Sequence, residues 1–222
     1  MEIELAGNRM VLLASGAVHW PDEAAVLVAD LHLGKDQVFR RQGIPVPARV
    51  LDETLDRLDR VLEATGAGRL IVLGDLVHAP PQAGEAWPRA VADWRAGRQK
   101  VSVELVPGNH DRSLSGPLKS WGILEHCPRL EMRGLGLVHA AENPDPAPGL
   151  SGHLHPVARL RSPTESLRLP VFARRGDHLV LPAFGSFTGG IQLEAGCGWQ
   201  RLALAGDRVV ALDSPNGKGD GW

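Results

Sequence analysis

Tyrosine is absent from this 222-residue chain, and phenylalanine occurs only four times. The six tryptophans are scattered and not interleaved with basic residues, which argues for ordinary packing and against a base-stacking platform, with Trp87 the best placed to do otherwise. Cysteine is nearly missing too. Cys127 and Cys197 stand far apart, which excludes a disulfide framework and a cysteine-based zinc site and fits a reducing cytoplasm. No apolar run approaches the ~20 residues that span a bilayer, so no membrane partner is expected. The start, MEIELAGNRM, lacks the basic-then-apolar pattern of a secretory signal. A formal charge of −2 gives no global reason to bind nucleic acid, so such binding must come from a local basic patch or from metal ions.

What is present is 43% apolar residues, enough for one sizeable core. The apolar runs AAVLVAD (24–30), RLIVLGD (69–75), VSVELVPGN (101–109) and LGLVHA (135–140) read as buried strands. Residues 47–65 place Val50, Leu51, Leu55, Leu58, Val61 and Leu62 on one face between Pro47 and Gly66, predicting an amphipathic helix. A weaker helix is expected over 82–96, through Trp87, Val91 and Trp94. The first half thus alternates strand and helix as α/β folds do. From 157 onward, LRLPVFA, HLVLPAF, WQRLALA and DRVVALD suggest antiparallel strands. NPDPAPG (143–149) reads as a loop. A single domain over 1–213 with a flexible tail over 214–222 is expected.

The apolar runs end in side chains that bind metals or move protons: Asp30 and His32, Asp75 and His78, Asn109 to Asp111, and His139. SGHLHP adds His153 and His155. Strand ends of an α/β sheet converge in space although far apart in sequence. His153 and His155 would point the same way from an extended segment, whereas a turn after Gly152 would aim them at neighbouring metals. Asp75 carries two oxygens and can bridge two cations. Two divalent ions ~3.5 to 4 Å apart can clamp a phosphoryl group and lower the pKa of a water. Asp30, His32, Asp75, Asn109, His139, His153 and His155 are the candidate ligands, with His110 left for acid–base work. Any one of these residues alone is more often a cap, a turn or an ordinary imidazole; their joint occurrence in this order changes the weighing. His19, His126 and His178 lack such neighbours and read as structural.

The ordered set DLH, GD, GNHD, lone His139 and GHLH, from Asp30 to His155, resembles the calcineurin-like metallophosphoesterase superfamily. The resemblance implies an α/β fold, a four-layer αββα sandwich of two mixed β-sheets flanked by helices, with the site above the strand ends. It implies one metal on Asp30, His32, Asp75 and His155 and another on Asp75, Asn109, His139 and His153. His110 would meet the phosphate and protonate or stabilise the leaving oxygen, with Asp111 orienting His110. The segments ADLHLGK, RQGIPVP, GDLVHAP and LPAFGSFTGG look like the bacterial ligase-associated DNA-damage-response phosphoesterases, a group called PdeM. That likeness implies a DNA endonuclease or phosphodiesterase associated with an ATP-dependent DNA ligase, a helicase and an exonuclease. It also implies a preference for manganese (Mn2+), with Mg2+, Zn2+ or iron as alternatives. GDLVH further looks like double-strand-break repair nucleases, making His78 a second catalytic candidate. GDLVHAP lacks the aspartate-arginine-glycine continuation of protein serine/threonine phosphatases, which counts against that subclass.

The first functional expectation is a metal-dependent phosphodiesterase on DNA, with Asn109, His110 and Arg112 meeting substrate and Lys35, Arg40, Arg41 and Arg112 as backbone contacts. The second keeps the chemistry for cyclic nucleotides or other small phosphoesters. A third, a non-catalytic scaffold, sits poorly with a full set of ligand types.

Overall fold

The apolar runs form parallel strands buried on both faces, as their lack of alternation requires. The computed structural model describes residues 1–47, 49–141, 147–162 and 164–213; the tail over 214–222 and most of the Pro-rich loop lie outside them. One 7-stranded sheet runs in chain order: β1 (Glu2–Leu5), β2 (Asn8–Leu12), β3 (Val18–Trp20), β4 (Ala25–Val28), β5 (Arg69–Leu73), β6 (Ser102–Val106) and β7 (Ile123–Glu125). Pairing is antiparallel from β1 to β4 and parallel from β4 to β7.

Between β4 and β5 lie α1 (Lys35–Arg41) and α2 (Val50–Thr65); α3 (Trp87–Ala96) joins β5 to β6, and α4 (Ser115–Ser120) joins β6 to β7. Helix α2 buries Leu55, Leu58, Val61 and Leu62 against Val26, Val28, Leu70 and Val72, each such side chain contributing ~1.5–3 kcal/mol. It stops where Gly66, at φ 64°, turns its N–H back to the Leu62 carbonyl. The sequence placed its start at Pro47; the helix begins at Val50. Helix α3 likewise begins at Trp87 instead of 82, with Pro88 in its first turn and a turn before it.

The second, 8-stranded sheet is ordered β15 (Arg208–Ala211), β14 (Gln200–Ala205), β12 (Ser166–Arg175), β13 (His178–Val180), β10 (Gly149–Ser151), β9 (Leu135–Val138) and β8 (Arg129–Met132), with β11 (Val157–Arg161) paired to β12. Strands β11 to β15 pair antiparallel along the path from β11 through β12, as expected, while β10 joins β9 and β13 in parallel. Both sheets are therefore mixed. Between them Trp20, Leu27, Ile71 and Leu73 meet Leu137, Leu150, Phe172 and Leu181, all fully buried. Helices α2, α3 and α4 cover the outer face of the first sheet. On the outer face of the second, the described covering is a small cluster of Ala158, Val171 and Ala203 under Leu169, Leu193 and Leu212. No helix among the described residues is long and apolar enough to cross a membrane.

Candidate metal centre

Register brings the chemistry to one edge. Val28 lies opposite Val72 and Leu73 opposite Val106, so Asp30, Asp75 and Asn109 leave their strands at nearly one level. The backbones keep pairing beyond the strands: the Asp30 N–H donates to the Gly74 carbonyl (3.1 Å) and the His32 N–H to the Asp75 carbonyl (2.9 Å). His139 after β9 and His153 and His155 after β10 arrive from the second sheet. Every candidate ligand named from the sequence meets here, with His78 and His110 beside them.

The local backbone is bent to allow this. Asp30, His32, Asp75, His153 and His155 all hold left-handed φ, from 46° to 68°, each at a cost of order 1 kcal/mol or more. Two glycines make room. A side chain on Gly74 would strike the His139 ring, and one on Gly108 would strike both the carboxylate and the backbone nitrogen of Asp75.

Two carboxylate-bearing donor sets result, beside a third group made of imidazoles alone, His32, His78 and His110. In the first, His155 Nε2 is 3.3 Å from Asp30 Oδ1 and 3.4 Å from His32 Nε2. In the second, His139 Nε2 lies 3.0 Å from Asn109 Oδ1, 3.1 Å from His153 Nδ1 and 3.5 Å from Asp75 Oδ1. Ligands about 2.1 Å from one ion sit ~3.0 Å apart at right angles and ~3.4 Å apart in a tetrahedron. Asp75 joins the sets, its other oxygen lying 3.8 Å from His32 Nε2. His153 and His155, two residues apart, point to different sets, the outcome a turn after Gly152 allows.

The proton inventory tests whether a cation fits. His139 Nδ1–H donates to the Leu73 carbonyl (3.1 Å), which leaves a lone pair on Nε2 facing the Asp75 oxygen. Asp30 Oδ2 accepts from the His153 N–H (2.9 Å), but buried Oδ1 has no hydrogen-bond partner among the described residues. An unpaired buried carboxylate oxygen costs several kcal/mol. Burial first, then Lys35 and neighbouring histidines, holds the His32 pKa down at about 2, and burial with Lys35 and His110 holds His78 at about 4. Both rings are neutral near pH 7. Oxygen and imidazole donors thus converge on two points, and divalent cations fit both.

The remaining candidates sort by contact. The His110 N–H donates to Asp75 Oδ1 (3.0 Å), its Nδ1 meets the His78 carbonyl (2.7 Å), and its Nε2 lies 3.9 Å from Asp75 Oδ2. The His78 ring stacks on it at 5.0 Å between centroids. The sequence expectation that Asp111 orients His110 is met only indirectly, since Asp111 does not bond the His110 ring. Its buried oxygens accept from the N–H groups of Gly108 (2.8 Å) and Val77 (3.3 Å), so it fixes the turn that carries His110. The acceptor on the ring is a main-chain carbonyl, for which no side-chain signal exists. Arg112 is exposed and lines, with Asn109 and His139, a cleft of about 760 Å³. Arg40 and Arg41 are committed to Asp36 and Glu85. Lys35 is half-buried beside Asp30 and Asp75. Trp87 is buried against Trp121, which removes it as a stacking surface. His126 pairs with Glu104, and His178 bonds Ser151 and the Ala147 carbonyl, both structural roles.

Residues 25–178 match the family model described as Calcineurin-like phosphoesterase. The chain is similar to the crystal structure of Pseudomonas putida nuclease MPE, with 35% identity over 96% of this chain and 99% of that one and a TM-score of 0.81. It is also similar to Yfce, a phosphoesterase from E. coli, at 18% identity over 84% of this chain and 96% of that one, with a TM-score of 0.47. No curated protein matches. The family match over most of the chain, on a centre whose donors suit cations, makes this chain a metal-dependent phosphoesterase of the calcineurin-like family.

Proposed function

We propose that the chain is a dinuclear-metal-dependent phosphodiesterase that cleaves DNA as an endonuclease, working as one domain over residues 1–213. The observation that carries this reading is the pair of donor sets bridged by Asp75 with the open Nε2 of His110 in front of them. The likeness to a protein described as a nuclease favours a polynucleotide diester over a small ester.

Asp30, His32, Asp75 and His155 would hold one ion, and Asp75, Asn109, His139 and His153 the other. Mixed imidazole and oxygen donors suit manganese, with zinc, iron and magnesium as competitors. When bound, the ions would act as Lewis acids on the phosphodiester and lower the pKa of the attacking water. The chain's own residues do the rest. His110 keeps Nδ1–H on the His78 carbonyl, so its Nε2 faces outward at a fixed angle and, when protonated, delivers a proton to the leaving oxygen. His78, stacked on that ring, would position the phosphate, and Arg112 would meet a flanking one across the cleft. The repair setting, with a ligase, helicase and exonuclease as partners, and the cytoplasmic location are supported by the sequence resemblance.

A substrate panel tests this. Single-stranded, gapped and linear DNA would be compared with cyclic nucleotides and bis-p-nitrophenyl phosphate under Mn2+, Mg2+, Zn2+ or chelator. Internal cleavage of DNA with Mn2+, abolished by chelator, is expected; hydrolysis confined to the small esters would reject the nuclease reading.

A further inference from the structure

Strands β11 and β12 form a hairpin whose register sets Arg159 directly opposite Arg168, with Arg161 two residues along on the same face. Like charges placed opposite each other in a sheet are destabilising. Elsewhere on this weakly acidic chain exposed arginines are commonly neutralised: Arg9 by Glu2, Arg89 by Asp93, Arg129 by Glu131, Arg208 by Asp207. Arg159, Arg161 and Arg168 have no carboxylate within salt-bridge distance among the described residues. Among the described residues Arg159 reaches the Ser166 hydroxyl (3.5 Å) and Arg168 the Gly189 carbonyl (3.0 Å).

This charged face begins beside the metal centre. The space a Cβ on Gly190 would fill is 2.3 Å from the His155 carbonyl oxygen and 3.0 Å from the Arg168 guanidinium. Three residues before that glycine stands Phe187, half exposed, at φ 59°. A left-handed φ is a rare and costly state for a bulky residue. The residue shares a crevice with His32, Gly34 and Lys35 at the rim of the first donor set. A ring left half exposed there forgoes much of the gain from burial, and guanidinium groups with no carboxylate among the described residues begin nearby.

We infer that Phe187 and the Arg159, Arg161 and Arg168 face form a grip for single-stranded polynucleotide, the ring stacking a base next to the reacting phosphate and the arginines tracking the phosphates beyond. Duplex DNA hides its base faces, so a stacking ring paired with a cationic track selects the single strand. The inference rests on the nuclease reading above.

The test uses metal-loaded protein carrying His110→Ala, so that the strand is not consumed, and follows the anisotropy of a labelled oligothymidine. Adding Arg159→Gln with Arg161→Gln should weaken binding roughly tenfold near ~0.1 M salt and reduce the salt slope by about 1.4, with bis-p-nitrophenyl phosphate turnover unchanged when His110 is intact. Phe187→Gly should weaken binding about tenfold while leaving the melting temperature close to the parent's, because glycine accepts that φ and the relief offsets the lost half-burial. Variants that bind as the parent does with the same salt slope would overturn the grip while leaving the nuclease reading intact. A parent that prefers duplex would overturn it too. A parent that hydrolyses the small ester but neither binds nor cuts any polynucleotide would bring down both.

Discussion

His110 and Asp75 touch each other through main chain and side chain, yet their removal should fail in different ways. His110→Ala deletes the proposed acid–base group, which lies outside both carboxylate-bearing sets. Turnover should fall ~10²- to 10⁴-fold while metal content by elemental analysis stays at the wild-type level. Asp75→Ala removes the oxygens that join the sets, so metal and turnover should be lost together; full metal retention would reject the bridge. The convergence of the candidate ligands was legible in sequence because Asp30, His32, Asp75, Asn109 and His139 close apolar runs and His153 and His155 share one short segment. Asp111 was legible as a member of the site but not in its role, since its acceptor work is done on backbone N–H groups. Phe187 was legible only as part of LPAFGSFTGG and without a role, because its exposure and its φ come from the fold.

At the scale of elements, the parallel strands and α2 were readable, since buried strands carry continuous apolar runs and α2 carries a 3.6-residue stripe. The β1–β3 meander, α1 and α4 were not singled out. Helices α1 and α4 are only 7 and 6 residues long, too short for a stripe to stand out, and α1 buries one polar residue, Asp36. The turn after β6 depends on a feature that sequence does show, a glycine before Asn109. Gly108→Ala would drive a methyl into the Asp75 carboxylate and backbone. Unlike a contact with a flexible tip, this cannot be relieved by a rotamer change, so the variant should fold with a lowered melting temperature and bind metal poorly by calorimetry. Unchanged metal affinity would show that the turn has more freedom than its packing suggests.

For the whole molecule, pH and metal are linked through buried imidazoles. His32, at about 2, and His78, at about 4, are held below the ordinary 6.5 mainly by burial, and His178 is lowered by the same cause. The unfolded chain takes up protons on these rings below about pH 6.5 while the folded chain resists until lower pH. Their contribution is thus complete above that pH and declines as pH falls. In chelator, the urea midpoint should drop between about pH 7.5 and about pH 5.5; a flat or rising midpoint would reject the burial argument. The first sheet supplies Asp30, His32, Asp75 and Asn109, and the second supplies His139, His153 and His155. Cations seated among them would act as rivets across the seam of the sandwich. Arming the enzyme and fastening one margin of its architecture would then be a single event, and a chain starved of ions would gape where it must work.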